Sequence, residues 1–254
     1  MGFQVLDTQG RIKTFQVPTE FTFTTTGTID NLDFSDADLI RGNNATLSTL
    51  RGLKSGYAGQ RVTIVSTGAG QINLEHQHAS SSAANRFMNS ITSGITPLAA
   101  GFGTATYQYD TTSTRWRIVQ HEQGPFINIP FTAGDYTGTG TMGWTVAAGD
   151  MIVNAYKVIG NLFVLDFFIS SADVIAPVSH GLLFLLPNGY TASHRALGLE
   201  MAYDAGILQA TATYDLNVAT AGKIAFYRHP DASLNWTVTT GGNTVQGMLS
   251  FPLT

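Results

Sequence analysis

Alternation, not helical periodicity, organises this chain. Short runs of β-branched and aromatic residues recur between Gly, Asn, Asp and Pro, and few windows place apolar residues at i, i+3, i+4 and i+7. The pattern predicts an all-β protein: an N-terminal β module followed by a C-terminal β-sandwich or jelly-roll-like head. Strands are expected over residues 61–66, 105–109, 115–120, 151–159, 162–169, 198–203, 208–214, 223–228, 234–238 and 245–251. Gly160-Asn161 stands between two long strand patterns as a two-residue hairpin turn, since both residue types accept positive φ at little steric cost. One helix of about two turns is expected over residues 81–89, with a Ser cap before Ala83-Ala84-Asn85-Arg86-Phe87-Met88.

Punctuation divides the chain. Gln120-His121-Glu122-Gln123-Gly124-Pro125 interrupts a strand pattern with polar residues and a Gly-Pro stop, so a boundary is expected there. The organisation read from this is an attachment segment over residues 1–20, a β scaffold module over 21–124 and a head over 125–254. In the first segment Phe3, Val5, Ile12, Phe15 and Val17 are too few to form a core, which suggests a hairpin that docks on another chain or on the first module.

Composition narrows the function classes. Charged residues make up 12% of the 254, against about 25% in ordinary domains, while hydrophobic residues reach 43%. Disorder requires the opposite balance. A net charge of −4 argues against a nucleic-acid or anionic-membrane partner. The sequence from Met1 to Asp7 shows neither the basic nor the apolar region of an export signal, and the longest apolar run, Leu182 to Leu186, is far short of a spanning helix, so a soluble chain without membrane insertion is expected. With no cysteine there is no disulfide, thiolate nucleophile or thiolate metal site.

The stretch from Leu50 to Val119 resembles a module that recurs in bacteriophage tail-fibre and other virion proteins. The residues that carry the resemblance are Leu50-Arg51-Gly52-Leu53, Gly56-Tyr57-Ala58-Gly59-Gln60-Arg61-Val62-Thr63-Ile64, Ile72-Asn73-Leu74-Glu75-His76, Ser82-Ala83-Ala84-Asn85-Arg86-Phe87, and Tyr109-Asp110 with Arg115-Trp116-Arg117. It implies a scaffold in a virion assembled in the host cytoplasm, and an order of anchor, shaft-like module and receptor-binding head. The expected function is that of a non-enzymatic structural protein. It would be a homotrimeric tail-fibre or receptor-binding component, attached to other virion proteins through its N-terminal segment and facing a host-surface glycan or protein with its head. A capsid decoration protein gripping neighbouring subunits is the alternative, and a glycan-degrading tailspike-type enzyme comes third. No cofactor is expected.

Candidate chemistry is sparse. His76-Gln77-His78 would place two imidazoles on one strand face, where they could grip an ion; read otherwise, they are polar residues at a strand end, and no metal site is assigned. A glycosidase needs two carboxylates about 5–9.5 Å apart, and no pair stands out. Asp30, Asp33, Asp36 and Asp38 fall in a solvated turn-rich stretch, while Asp150 and Asp166 are isolated. Ser179-His180-Gly181 lacks the nucleophile elbow and a following helix, and Gly241-Gly242-Asn243 reads as a hairpin turn. Recognition is therefore expected on head loops. Tyr136, Tyr190 and His194 are the candidate binding residues, because sugar rings stack on exposed aromatic faces while polar neighbours supply hydrogen bonds. Trp144 and Trp236, alternating with polar residues in expected strands, are assigned to the core together with Val153, Phe163, Leu165, Phe167, Ile224, Phe226 and Leu249.

Overall fold

A computed structural model describes the backbone of residues 2–6, 12–16, 19–54, 56–92, 94–209, 211–216, 222–230 and 234–254, and side chains from residue 19 onward. The protein is all-β, with no helix of seven residues or more among the described residues. It divides into two compact units, Met1–Asn89 with Pro97–Gly124, and Ser90–Thr96 with Pro125–Thr254. The short segment 90–96 joins the second unit because Ile91 is buried in that core and Thr92 N–H donates to the Thr254 carbonyl at 3.2 Å.

In the first unit β1 (Gly2–Leu6) and β2 (Ile12–Gln16) form an antiparallel hairpin. The side chains on which the attachment reading rests lie outside the described residues. Next come β3 (Glu20–Phe23), β4 (Gly27–Ile29), β5 (Leu39–Gly42), β6 (Ser48–Leu50), β7 (Arg61–Ser66) and β8 (Ile72–Glu75), which alternate between two sheets and pair in parallel within each. The chain thus winds through three stacked coils. Ile40 pairs with Ile64 and Leu50 with Leu74, both 24 residues apart, so like residues stack in ladders along the core. The buried Asn44 amide ties coil to coil, donating to the carbonyls of Thr46 at 2.6 Å and Gln71 at 3.2 Å. Then β9 (Phe87–Met88), β10 (Ile95–Leu98), β11 (Thr104–Asp110) and β12 (Arg115–Glu122) complete sheets ordered β10-β8-β6-β4 and β3-β5-β7-β11-β12-β9.

Two expectations change here. The helix over 81–89 is only a single 3-10 turn, Ala83–Asn85, followed by β9, since Phe87 is claimed by the core and by a parallel pairing with Trp116. The stretch of Asn31 to Asp38 is a turn, as expected, but it is not merely solvated. Phe34 is 1% exposed and meets Trp116 edge-on at 5.8 Å, so the turn plugs the core.

The second unit consists of β13 (Ile127–Asn128), β14 (Tyr136–Gly138), β15 (Gly143–Thr145), β16 (Met151–Ile159), β17 (Leu162–Ile175), β18 (Gly181–Leu185), β19 (Ala196–Leu199), β20 (Met201–Asp204), β21 (Ile207–Gln209), β22 (Thr213–Leu216), β23 (Lys223–Tyr227) and β24 (Thr239–Pro252). One sheet runs β13-β16-β17-β24-β20-β21 with β15 on the far end of β17; the other runs β14-β18-β23-β22-β19. Together they form a β-sandwich. Its core comprises Phe163, Leu165, Phe167, Leu249 and Phe251 from the first sheet and Leu182, Phe184, Ile224 and Phe226 from the second. Gly160-Asn161 closes the β16–β17 hairpin with Ile159 opposite Leu162; Gly160 alone takes positive φ (63°), the pattern of a type II′ turn.

Trp144 and Trp236 are core residues, but Trp236 lies outside any strand, held by donating its indole N–H to the Phe226 carbonyl at 3.3 Å. Val153 is only partly buried. Gly241-Gly242-Asn243 is not a turn. It lies within the 14-residue β24, where Gly241 at φ 67° accommodates a register shift against β17.

Candidate functional site

Two of the three expected binding residues are in the core. Tyr136 opens β14 and is 4% exposed, stacked on Phe131 and Phe184 with ring centroids 5.8 and 5.3 Å away and edge-on to Trp144. Its hydroxyl accepts from Asn154 Nδ2 at 3.3 Å, and burial pushes its pKa up. Tyr190 follows the 3-10 turn Pro187–Gly189 and is fully buried, with its hydroxyl donating to the Ile95 carbonyl at 2.7 Å and its ring edge-on to Tyr156 and Phe163. Neither ring is available to stack on a ligand. The local Gly-rich and Pro-Asn-Gly sequences suggest loops, but aromatic burial outweighs turn chemistry at both positions. His194 is exposed, and its Nδ1 lies 3.1 Å from Ser193 Oγ.

Among the described residues, groups suited to acid–base or metal chemistry do not converge. Gln77 adopts φ 48°, which breaks the alternation that would align His76 with His78. His76 Nδ1 accepts from the Asn89 N–H at 3.0 Å, and burial lowers its pKa. No cluster of three potential metal-ligating side chains occurs among the described residues. A surface cavity of about 410 Å³ in the first unit contains Asp110 and Arg117. Asp110 accepts from Ser113 Oγ at 2.7 Å, Arg117 Nε at 2.6 Å and the Thr112 N–H at 2.9 Å, contacts that hold its carboxyl at about 2. A carboxylate so committed is a structural anchor and a poor general acid or base at neutral pH.

A different surface emerges on the outer face of the sandwich, where β17, β24 and β20 lie side by side. Alternation sends Ala202, Asp204 and Val245 inward and Met201, Tyr203, Thr244 and Gln246 outward. The ladder then aligns the outward residues in rows: Phe168 with Gln246 and Met201, and Thr244 with Tyr203. With Ser170 and the glycines Gly206, Gly241 and Gly242 at one end, they line an open groove of about 370 Å³. Among the described residues no charged side chain lines it. Ser170 Oγ has a 3.4 Å contact with Ser171 Oγ, and Gln246 Nε2 a 4.0 Å approach to Met201 Sδ. Among the described residues the hydroxyls of Tyr203 and Thr244 make no side-chain hydrogen bond within the protein. The polar capacity of the groove therefore faces outward.

The second unit also carries an apolar edge. β19 and β21 terminate the two sheets, and Glu200 alone connects β19 to β20, so both edges border one side of the sandwich. There Leu199 is 79% exposed, Ile207 68%, Leu197 60% and Leu208 53%. Strand alternation in the sequence marks the outward positions of β20 and β24, but the pairing that brings them together joins residues more than forty positions apart. No helix among the described residues is long and apolar enough to cross a membrane. In comparison with known proteins, the chain matches no family model and no curated protein.

Proposed function

We propose that the chain is a non-enzymatic structural protein of a bacteriophage virion, a homotrimeric tail-fibre or receptor-binding component that meets the host surface through its β-sandwich. The observation that carries the reading is a β-sandwich presenting a groove of polar and aromatic side chains, with the hydroxyls of Tyr203 and Thr244 turned outward, preceded by a module that resembles those of phage fibres. The coiled sheets of the first unit suit a scaffold, with stacked apolar ladders inside and a committed Asp110 at the cavity described there. The exposed Leu197, Leu199, Ile207 and Leu208 suit contact with other copies, because an apolar strand edge left in water invites pairing.

Immunogold labelling of virions with an antibody to the chain tests the assignment. Label on the tail or baseplate is expected, and label covering the head would select a capsid decoration protein instead. Virions without label would refute both. Incubation with host polysaccharide should release no new reducing ends; their appearance would restore the tailspike enzyme.

A further inference from the structure

We infer that the groove formed by Phe168, Ser170, Met201, Tyr203, Thr244 and Gln246 is a binding site for an uncharged saccharide, an inference that rests on reading the sandwich as the surface-contacting unit. Three features select this ligand class. Among the described residues the lining has no Asp, Glu, Lys, Arg or His, so these offer nothing to offset the desolvation of an ionic ligand, and a sulfated or carboxylated chain would gain no counter-charge from them. Its polar groups are hydroxyls and one amide: Ser170, Thr244 and Tyr203 each donate and accept, and the Gln246 amide does both in a fixed plane. These match the vicinal hydroxyls of a sugar, which also donate and accept. The third feature is apolar. Phe168, Met201 and the ring of Tyr203 supply surface for the C–H face of a pyranose beside those polar groups, the mixture a sugar presents.

The glycines contribute by their smallness. Gly206, Gly241 and Gly242 close one end of the groove with backbone alone, and Gly206 N–H donates to the Gly242 carbonyl at 2.8 Å, so that wall is fixed without a side chain protruding into the site. An extended peptide would bind elsewhere, since its affinity comes from main-chain pairing at a sheet edge, and β17, β24 and β20 are each already paired on both sides. A volume of about 370 Å³ is at the small end of ligand sites, suiting one or two sugar units at weak single-site affinity.

The test uses the full chain, titrated by ligand-observed NMR with neutral oligosaccharides of glucose, galactose and N-acetylglucosamine, and with heparin oligosaccharides as the charged contrast. Saturable binding of a neutral probe is expected, weakened about tenfold or more in both Tyr203→Ala and Gln246→Ala with the thermal midpoint retained. Leu185→Ala, at an exposed position of β18 in the other sheet, should bind as the parent does. Absence of saturable binding by every neutral probe, undiminished binding in both groove variants, or preference for heparin would each overturn the proposal. Failure here with label on the virion tail would remove the groove and leave the receptor-binding reading intact. Saccharide binding by a chain absent from virions would do the reverse.

Discussion

Glu200 offers the sharpest physical test of the sandwich. It is the single residue between β19 in one sheet and β20 in the other, and its carboxyl lies inside: both oxygens are buried without a hydrogen-bond partner. Beside it stands Gly247, opposite Phe167 on the neighbouring strand, where a Cβ would make only ordinary contacts, 3.9 Å from Glu200 Cβ and 3.5 Å from the Phe167 ring. Desolvation pushes the Glu200 carboxyl well above the usual carboxylate range, and its charge in turn adds to the burial that raises Tyr214. A buried polar group without a partner costs about 1–3 kcal/mol even when neutral. Glu200→Met keeps the chain length and removes both oxygens, so it should stabilise the protein by about that amount, raising the melting midpoint by roughly 2–4 °C per kcal/mol in a chain of this size.

The pH dependence has a definite sign. Because the native pKa lies above the unfolded one, the folded state keeps its proton longer, and the stability of the parent falls as pH rises from the unfolded value toward the folded one. One proton corresponds to a slope of about 1.4 kcal/mol per pH unit. Glu200→Gln cannot ionise and preserves the shape, so the difference in stability between variant and parent should widen with that slope across the pH window that opens at the unfolded carboxylate value and closes at the raised folded one. Urea denaturation at several pH values measures it, with two of the three tryptophans, Trp144 and Trp236, reporting from the sandwich. A difference that stays flat across the window would show that the carboxyl is solvated or already ionised in the native state, and the argument would fail.

Three further predictions concern packing and assembly. Asp204 is 3% exposed and holds Arg228 Nη1 at 2.5 Å together with the Thr237 N–H and hydroxyl, both at 2.8 Å, so Asp204→Ala should destabilise by about 1–3 kcal/mol by leaving the Thr237 donors without their acceptor, while Arg228 keeps the Asn235 carbonyl at 2.7 Å; a loss below about 0.5 kcal/mol in urea denaturation would contradict it. At Gly42 an added Cβ would lie 2.3 Å from Ile72 Cδ1 and 2.8 Å from Phe23 Cζ, so Gly42→Ala should cost about 1–3 kcal/mol, and an unchanged melting midpoint would dispute the stacking of the coils. Light scattering should give the mass of three 27.2 kDa chains, and Leu199→Glu combined with Ile207→Lys should reduce it to one; a parent already at 27.2 kDa discards the trimer.

What the sequence made legible was set by the range of the interactions. Antiparallel neighbours leave local marks: two-residue alternation around Gly160-Asn161 places β16 and the start of β17, and 61–66 is bounded as expected. Parallel coils leave few, because Ile40, Ile64 and their neighbours pair 24 residues apart through bends of different sequence. The turn at Phe34 looked polar because three aspartates surround one aromatic residue, yet that residue decides its burial. Similarly, Gly and Pro near Tyr136 and Tyr190 describe how the backbone bends, and say nothing of which way the ring turns.

The same limit explains why the groove sits on strands when loops were expected to carry recognition. Along β20 and β24 each outward residue is flanked by inward ones, Tyr203 by Ala202 and Asp204, and Gln246 by Val245 and Gly247, so core packing sets the spacing of the groove groups. A surface held this way loses little freedom on binding, which conserves weak single-site affinity. Its outward residues can also change without disturbing the inward set. Glu200 enters β20 immediately before this face and breaks the rule that buried polar atoms find partners. Local rules fail most often where a protein places function ahead of stability, and here the unsatisfied Glu200 carboxyl immediately precedes Met201 and Tyr203, the residues that β20 contributes to the groove.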